Sequence, residues 1–158
     1  MVDGSDPIIS VVGRWHDFLR GELPGGLGSL LHDDVVFLSP IVYSPQVGRD
    51  LTTMYLSAAG PALAGAHPEG VSGRPEPAAE ATGFHYVKEI ASGHHAMLEF
   101  ETTIGGTYVN GVDIITCDDE GLITEFKVMI RPLKAVDAVH QQMAAMLESM
   151  RGPASEAT

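Results

Sequence analysis

Apolar residues near the start of the chain fall at positions 8, 11, 12, 15, 18 and 19, a stripe with a helical period of about 3.6 residues. Asp6 stands where an N-cap is needed, Pro7 suits the first turn, and Gly21 with Pro24 end the pattern. Residues 25–31 are glycine-rich and then apolar, which predicts a loop leading into one helical turn. Residues 35–42 are β-branched and aromatic and predict a strand, with Pro40 at a bend or edge. Asp50 is placed to cap a second long helix carrying Leu51, Met54, Tyr55 and Leu56. Residues 60–83 are rich in Pro, Gly and Ala, show no period, and predict a long loop.

Beyond that loop the pattern shortens to segments at 84–91, 95–104, 107–117 and 122–131. Each break carries glycine: Ser92-Gly93, Gly105-Gly106 and Asp119-Glu120-Gly121. Glycine supplies the positive φ of tight hairpins, so this is an antiparallel meander. After Pro132 a helical stripe returns at 133, 136, 139, 143, 146, 147 and 150, closed by Gly152-Pro153. The order predicts one α+β domain over 1–151, its helices on one face of a curved sheet, followed by a flexible tail at 152–158.

Strand alternation separates the two faces of that sheet. On the last strand Leu122, Phe126, Val128 and Ile130 share one side and Glu125, Lys127 and Arg131 the other. The preceding strand has Val109, Gly111, Asp113, Ile115 and Cys117 on one side, and Tyr108, Asn110, Val112, Ile114 and Thr116 on the other. Both of its sides are half apolar, so parity alone leaves two orientations open. If the Asp113 side turns inward, a carboxyl group stands in apolar surroundings, its pKa rises, and its neutral form can donate to a carbonyl or enolate oxygen. Otherwise Asp113 faces water.

Composition narrows the partners. Nine basic residues against 21 acidic ones give a net charge of −12, which disfavours nucleic acid and anionic membranes. The single cysteine, Cys117, excludes an internal disulfide and a cysteine-only metal cage. No apolar run approaches the roughly 18 residues of a membrane helix, and the acidic start lacks the basic region of a secretory signal, so a cytoplasmic location is expected. Of the seven histidines, His94 and His95 are neighbours on a strand and point to opposite sides. No metal and no cofactor are expected.

Two runs resemble a known superfamily. "LLHDDVVFLSPIVYSPQVGRDLTTMYLSAA" resembles the strand-to-helix segment, and "NGVDIITCDDEGLITEFKV" the closing hairpin, of nuclear transport factor 2-like proteins. Within that superfamily the chain resembles ketosteroid isomerases and SnoaL-like cyclases. The resemblance implies a cystatin-like cone, a bent sheet wrapped by N-terminal helices around a deep apolar pocket, here with an extra C-terminal helix. It implies an inward Asp113, matched to the isomerase aspartic acid that hydrogen-bonds the developing oxyanion, and it implies a homodimer. The chain also departs from its relatives. Ser39-Pro40 stands in place of the isomerase Asp-Pro base, Trp15 or His16 in place of the oxyanion tyrosine, and Val128 in place of the cyclase acid/base aspartate.

The expected site therefore pairs Asp113 with His16 as acid/base candidates. Trp15, Phe37, Met54, Tyr55, Phe126, Val128 and Ile130 are the expected apolar wall, and Ser39 and Asn110 secondary polar contacts. The expected ligand is a small, largely apolar molecule bearing a carbonyl or hydroxyl. Either a metal-free isomerase, cyclase or hydratase, or a non-catalytic binding or dimerisation module, would fit these residues.

Overall fold

The computed structural model describes residues 6–64 and 83–150. Helix α1 spans Pro7–Leu19 and buries Ile8, Val11, Val12 and Trp15, the helical stripe seen in the sequence. Asp6 holds the N-cap position, yet its side chain makes no capping bond. Its Oδ2 instead accepts from the Gly93 N–H at 2.7 Å, and the Ile8 N–H donates to the Gly93 carbonyl, so the helix start is fastened to a hairpin turn. A 3-10 turn at Leu27–Ser29 leads into β1, Leu31–Leu38.

That strand begins earlier than the 35–42 expected from β-branching and ends before Pro40. The polar run His32-Asp33-Asp34 is tolerated at its start because Arg49 pairs with Asp33 at 2.7 Å and donates to the Leu31 carbonyl at 3.1 Å. Beyond its end, the Ser39 hydroxyl oxygen accepts from the Ile41 and Val42 N–H groups and closes a turn. A short strand β2, Gln46–Val47, has no counterpart in the expected elements.

Helix α2 covers Arg49–Ala64, with Asp50 in its first turn rather than at the cap. It therefore takes up the first residues of the expected 60–83 loop; positions 65–82 of that loop lie outside the described residues, as does the tail at 152–158. The meander follows as β3 His85–Ser92, β4 His95–Ile104, β5 Thr107–Cys117 and β6 Ile123–Arg131. Helix α3, Leu133–Met150, closes the described chain. None of the described helices is long and apolar enough to cross a membrane.

The six strands form one mixed sheet in the order β2-β1-β6-β5-β4-β3, with β1 parallel to β6 and the other pairs antiparallel. Register irregularities fall between Tyr86 and Lys88 on β3, between Thr116 and Cys117 on β5, and between Leu31 and Val36 on β1. Such bulges bend a strand and sharpen its twist, which is how the sheet curls into a cone. The bulge at β5–β6 also shifts parity: Ile123 is fully buried, whereas simple alternation had assigned that place to Leu122.

On the inner face, Leu98, Asp113 and Val128 form one cross-strand row, and Phe100, Gly111 and Ile130 the next. The three helices pack on this side through Trp15, Leu56, Ala135 and Val139, all within the single core cluster. A Cβ added to Gly111 would lie 2.3 Å from Phe100 Cζ and 2.8 Å from the Met129 carbonyl oxygen, so only glycine lets Phe100 lie across β5. The opposite face carries the rows Lys88, Glu99, Val112, Met129 and Ile90, Met97, Ile114, Lys127. Ile90 is 59% exposed, Met129 52% and Met97 44%.

Candidate functional site

Asp113 is held by its strand register between Leu98 on β4 and Val128 on β6, on the inner face and 5% exposed. Of the two orientations left open by the sequence, the apolar one is realised. Tyr86 reaches the carboxyl from the outermost strand, because the Tyr86–Phe100 pairing turns its ring inward. Its hydroxyl donates to Asp113 Oδ2 at 2.6 Å. The Trp15 indole Nε1–H, from α1, donates in turn to the Tyr86 oxygen at 2.8 Å. Among the described residues, Tyr86 is the hydrogen-bond partner Asp113 has.

Aromatic rings enclose this chain of three residues. Trp15 lies 4.9 Å from Phe126 and 5.4 Å from Phe18, and Phe84 lies 5.0 Å from Tyr86 and 4.9 Å from Phe100. Removal from water pushes the Asp113 carboxyl up from 3.8 to about 7, with the Tyr86 hydrogen bond pulling the other way. Burial also raises the Tyr86 phenol, and the neighbouring Asp113 raises it further. The phenol therefore stays protonated, while the carboxyl exchanges its proton near neutrality.

The residues expected as an apolar wall pack on the inner side of the sheet. Trp15, Phe37, Phe126 and Val128 are buried, Ile130 is half-buried against the core, and Tyr55 stacks 5.7 Å from Phe37. Met54 is half-buried on α2.

The polar candidates are arranged differently. His16 sits one residue along α1 from Trp15, and its Nε2 lies 2.5 Å from Glu89 Oε1, so it pairs with Glu89 rather than with Asp113. Its ring meets the edge of Tyr86 at 5.5 Å. Ser39 spends its oxygen on the turn after β1. Asn110 is buried, but on the other face: three residues from Asp113 along a strand means opposite parity. There its amide donates to the Phe100 carbonyl and to Glu99, and its oxygen accepts from Arg131 Nε at 2.8 Å. Asn110 thus lines an open depression of about 430 Å³ on the outer face, with Lys88, Ile90, Met97, Glu99 and Met129. Among the described residues no three His, Cys, Asp or Glu side chains come together as metal ligands.

Tyr86 is the member of the site that sequence reasoning missed. The usable signals were its alternation with Phe84, just ahead of β3, and the presence of a single tryptophan, whose N–H needs an acceptor once buried.

No family model matches the chain, and no curated protein matches its sequence. Solved structures do. A steroid delta-isomerase from Pseudomonas aeruginosa is similar at 28% identity and TM-score 0.77, covering 97% of this chain and 100% of that one. An uncharacterised protein with a cystatin-like fold from Silicibacter pomeroyi is similar at 27% identity and TM-score 0.70, covering 88% of this chain and 86% of that one. A nuclear transport factor 2-like protein of unknown function from Mesorhizobium loti matches at 18% identity and TM-score 0.59, covering 80% of this chain and 92% of that one.

Proposed function

We propose that this chain, which has the nuclear transport factor 2-like fold, binds a small, largely apolar molecule bearing a carbonyl or hydroxyl in a pocket on the inner face, and acts on it as a metal-free isomerase, cyclase or hydratase. One observation carries the reading: a carboxyl group buried among aromatic rings, which raises its pKa, with one oxygen accepting from Tyr86 and, among the described residues, no partner on the other. In its neutral form Asp113 donates to a ligand carbonyl or an enolate oxygen. As the carboxylate it accepts from a hydroxyl or removes an acidic carbon-bound proton, and the acid so formed can return that proton at a neighbouring carbon.

The similarity to a steroid delta-isomerase supports a first probe, a β,γ-unsaturated keto steroid, whose conversion to the conjugated enone is followed by ultraviolet absorbance. Turnover should change with pH around a midpoint near 7 and fall by about 100-fold or more in Asp113→Asn. Turnover that is flat with pH and equal in the variant would overturn the assignment.

A non-catalytic binding module is the second reading, favoured by the engagement of His16 with Glu89 and of Ser39 with its own turn, which leaves the high-pKa Tyr86 phenol as the ionisable group bonded to Asp113 among the described residues. It predicts quenching of Trp15 fluorescence by the steroid without product.

Two copies of the chain are proposed to pair through the outer sheet face. Three basic residues, Lys88, Lys127 and Arg131, there balance three acidic ones, Glu99, Glu101 and Glu125, around exposed Ile90, Met97 and Met129.

A further inference from the structure

The indole N–H of Trp15 can only donate, and a tyrosine hydroxyl owns a single hydrogen. With Trp15 Nε1 at 2.8 Å from the Tyr86 oxygen and Asp113 Oδ2 at 2.6 Å from it, the direction of both bonds is set by the first donor. The Tyr86 hydrogen must point away from the indole, towards Oδ2. We infer that Trp15 and Tyr86 form a one-way hydrogen-bond relay that reserves Asp113 Oδ2 as an acceptor and confines the exchangeable carboxyl proton to Oδ1. Oδ1 is then the atom that meets the ligand, and the hydrogen-bonding groups of Trp15 and Tyr86 are positioning groups that act through Asp113.

The reverse arrangement is disfavoured by the surroundings. If Asp113 carried its proton on Oδ2 and donated to Tyr86, the tyrosine oxygen would accept two hydrogens while its own hydrogen sought a new acceptor. Among the described residues the hydroxyl has only Trp15 and Asp113 as partners, and the rings beside it, Phe84 and Phe100, offer no lone pair in the plane of a hydrogen bond. A buried hydroxyl hydrogen left without a partner is costly. The raised phenol pKa keeps that hydrogen in place across the pH range in which the carboxyl titrates.

Other ionisable groups near the relay are His16, from α1, whose ring meets Tyr86 edge-on, and Glu89, from β3, which pairs with His16. A titration felt by the relay could come from either, so the test separates them from Asp113. The consequence for the ligand rests on the function proposed above, but the relay itself is tested without any ligand.

Because the chain has one tryptophan, its indole N–H gives a single resonance in a proton–nitrogen correlation spectrum. As Asp113 loses its proton the Tyr86 oxygen gains electron density and accepts more strongly, since bonds in a chain polarise one another. The indole proton should move downfield as pH rises, with a midpoint near 7. The titration should vanish in Asp113→Asn and in Tyr86→Phe, and persist in His16→Gln. The Asp113 midpoint, read from the carboxyl carbon of aspartate-labelled protein, should rise in Tyr86→Phe. It should also rise in Trp15→Phe, but not rise further when the two are combined. A titration that survives Asp113→Asn or disappears in His16→Gln overturns the relay, and so does a Trp15→Phe shift that adds to that of Tyr86→Phe. If Trp15→Phe fails to fold, the first four proteins still decide the matter. A relay present in a protein without turnover removes the catalytic reading and leaves this one standing.

Discussion

A carboxyl group whose pKa rises from 3.8 to about 7 on folding binds its proton more tightly in the native chain than in the unfolded one. Between about pH 4 and 7 the folded protein keeps a proton that the unfolded chain has released, so stability is complete at the acid end of this window and declines as pH rises through it. At about 1.4 kcal/mol per pH unit the ceiling on this contribution is on the order of 4 kcal/mol. Asp113→Asn should therefore remove the decline and leave the variant more stable than the wild type at pH 8, with the gap closing towards pH 5. Urea unfolding of both proteins at the two pH values measures it, and parallel curves would mean that Asp113 is not a buried acid. Alternation along the strand left Asp113 with two orientations, and its inward one was legible only through the resemblance of the closing hairpin to nuclear transport factor 2-like proteins. Its partners were harder to read. Tyr86 lies 27 positions away and meets Asp113 only through two intervening strand pairings, and nothing local to either residue encodes that contact. Asn110, expected as a secondary polar contact, lies on the other face of the sheet because its parity on β5 opposes that of Asp113.

At the level of elements, alternation and glycine punctuation fixed the meander closely, with 95–104 and 107–117 matching β4 and β5 throughout. What periodicity does not carry is tertiary fastening. Asp6 reads locally as a helix cap but is used to hold the β3–β4 turn, and Gly48, with φ of +109°, stands at the start of α2, two residues ahead of the expected capping Asp50. Gly111 looks like an interruption of β5 until Phe100 is seen to occupy the space its side chain would need. Gly111→Ala should cost about 1–3 kcal/mol, because an added methyl in a packed interior forces its neighbours off their preferred positions. The same substitution in a Phe100→Leu background should cost less, since the 2.3 Å contact with the ring edge is gone, although the 2.8 Å approach to the Met129 carbonyl remains. Denaturant midpoints of the four proteins give the coupling directly, and equal costs in both backgrounds would show that Phe100 is not what excludes the side chain.

The molecule as a whole carries a net charge of −12, so two copies repel wherever their acidic surfaces approach. The outer sheet face is the exception. Its charges are matched within one chain, Lys88 to Glu99 at 3.6 Å, Lys127 to Glu125 at 3.8 Å, and Arg131 through Asn110 to Glu99. In sequence this face read equally well as a solvated surface, because alternating charge and apolar side chains are common to both; only the cross-strand registers gather Ile90, Met97 and Met129 into one apolar strip. An isologous pairing would bury that strip against itself and place the neutral rim of one copy on that of the other. Sedimentation equilibrium should then find a dimer whose association strengthens from low to moderate salt, as screening weakens the repulsion between the remaining surfaces. Met129→Glu would set two like charges near the centre of the interface and should yield a monomer. Its titration at Asp113, on the opposite face of the sheet, should be unchanged, which separates loss of pairing from loss of fold. A wild-type chain that stays monomeric at every salt concentration, or a Met129→Glu chain that remains a dimer, would mean that this face serves some other purpose.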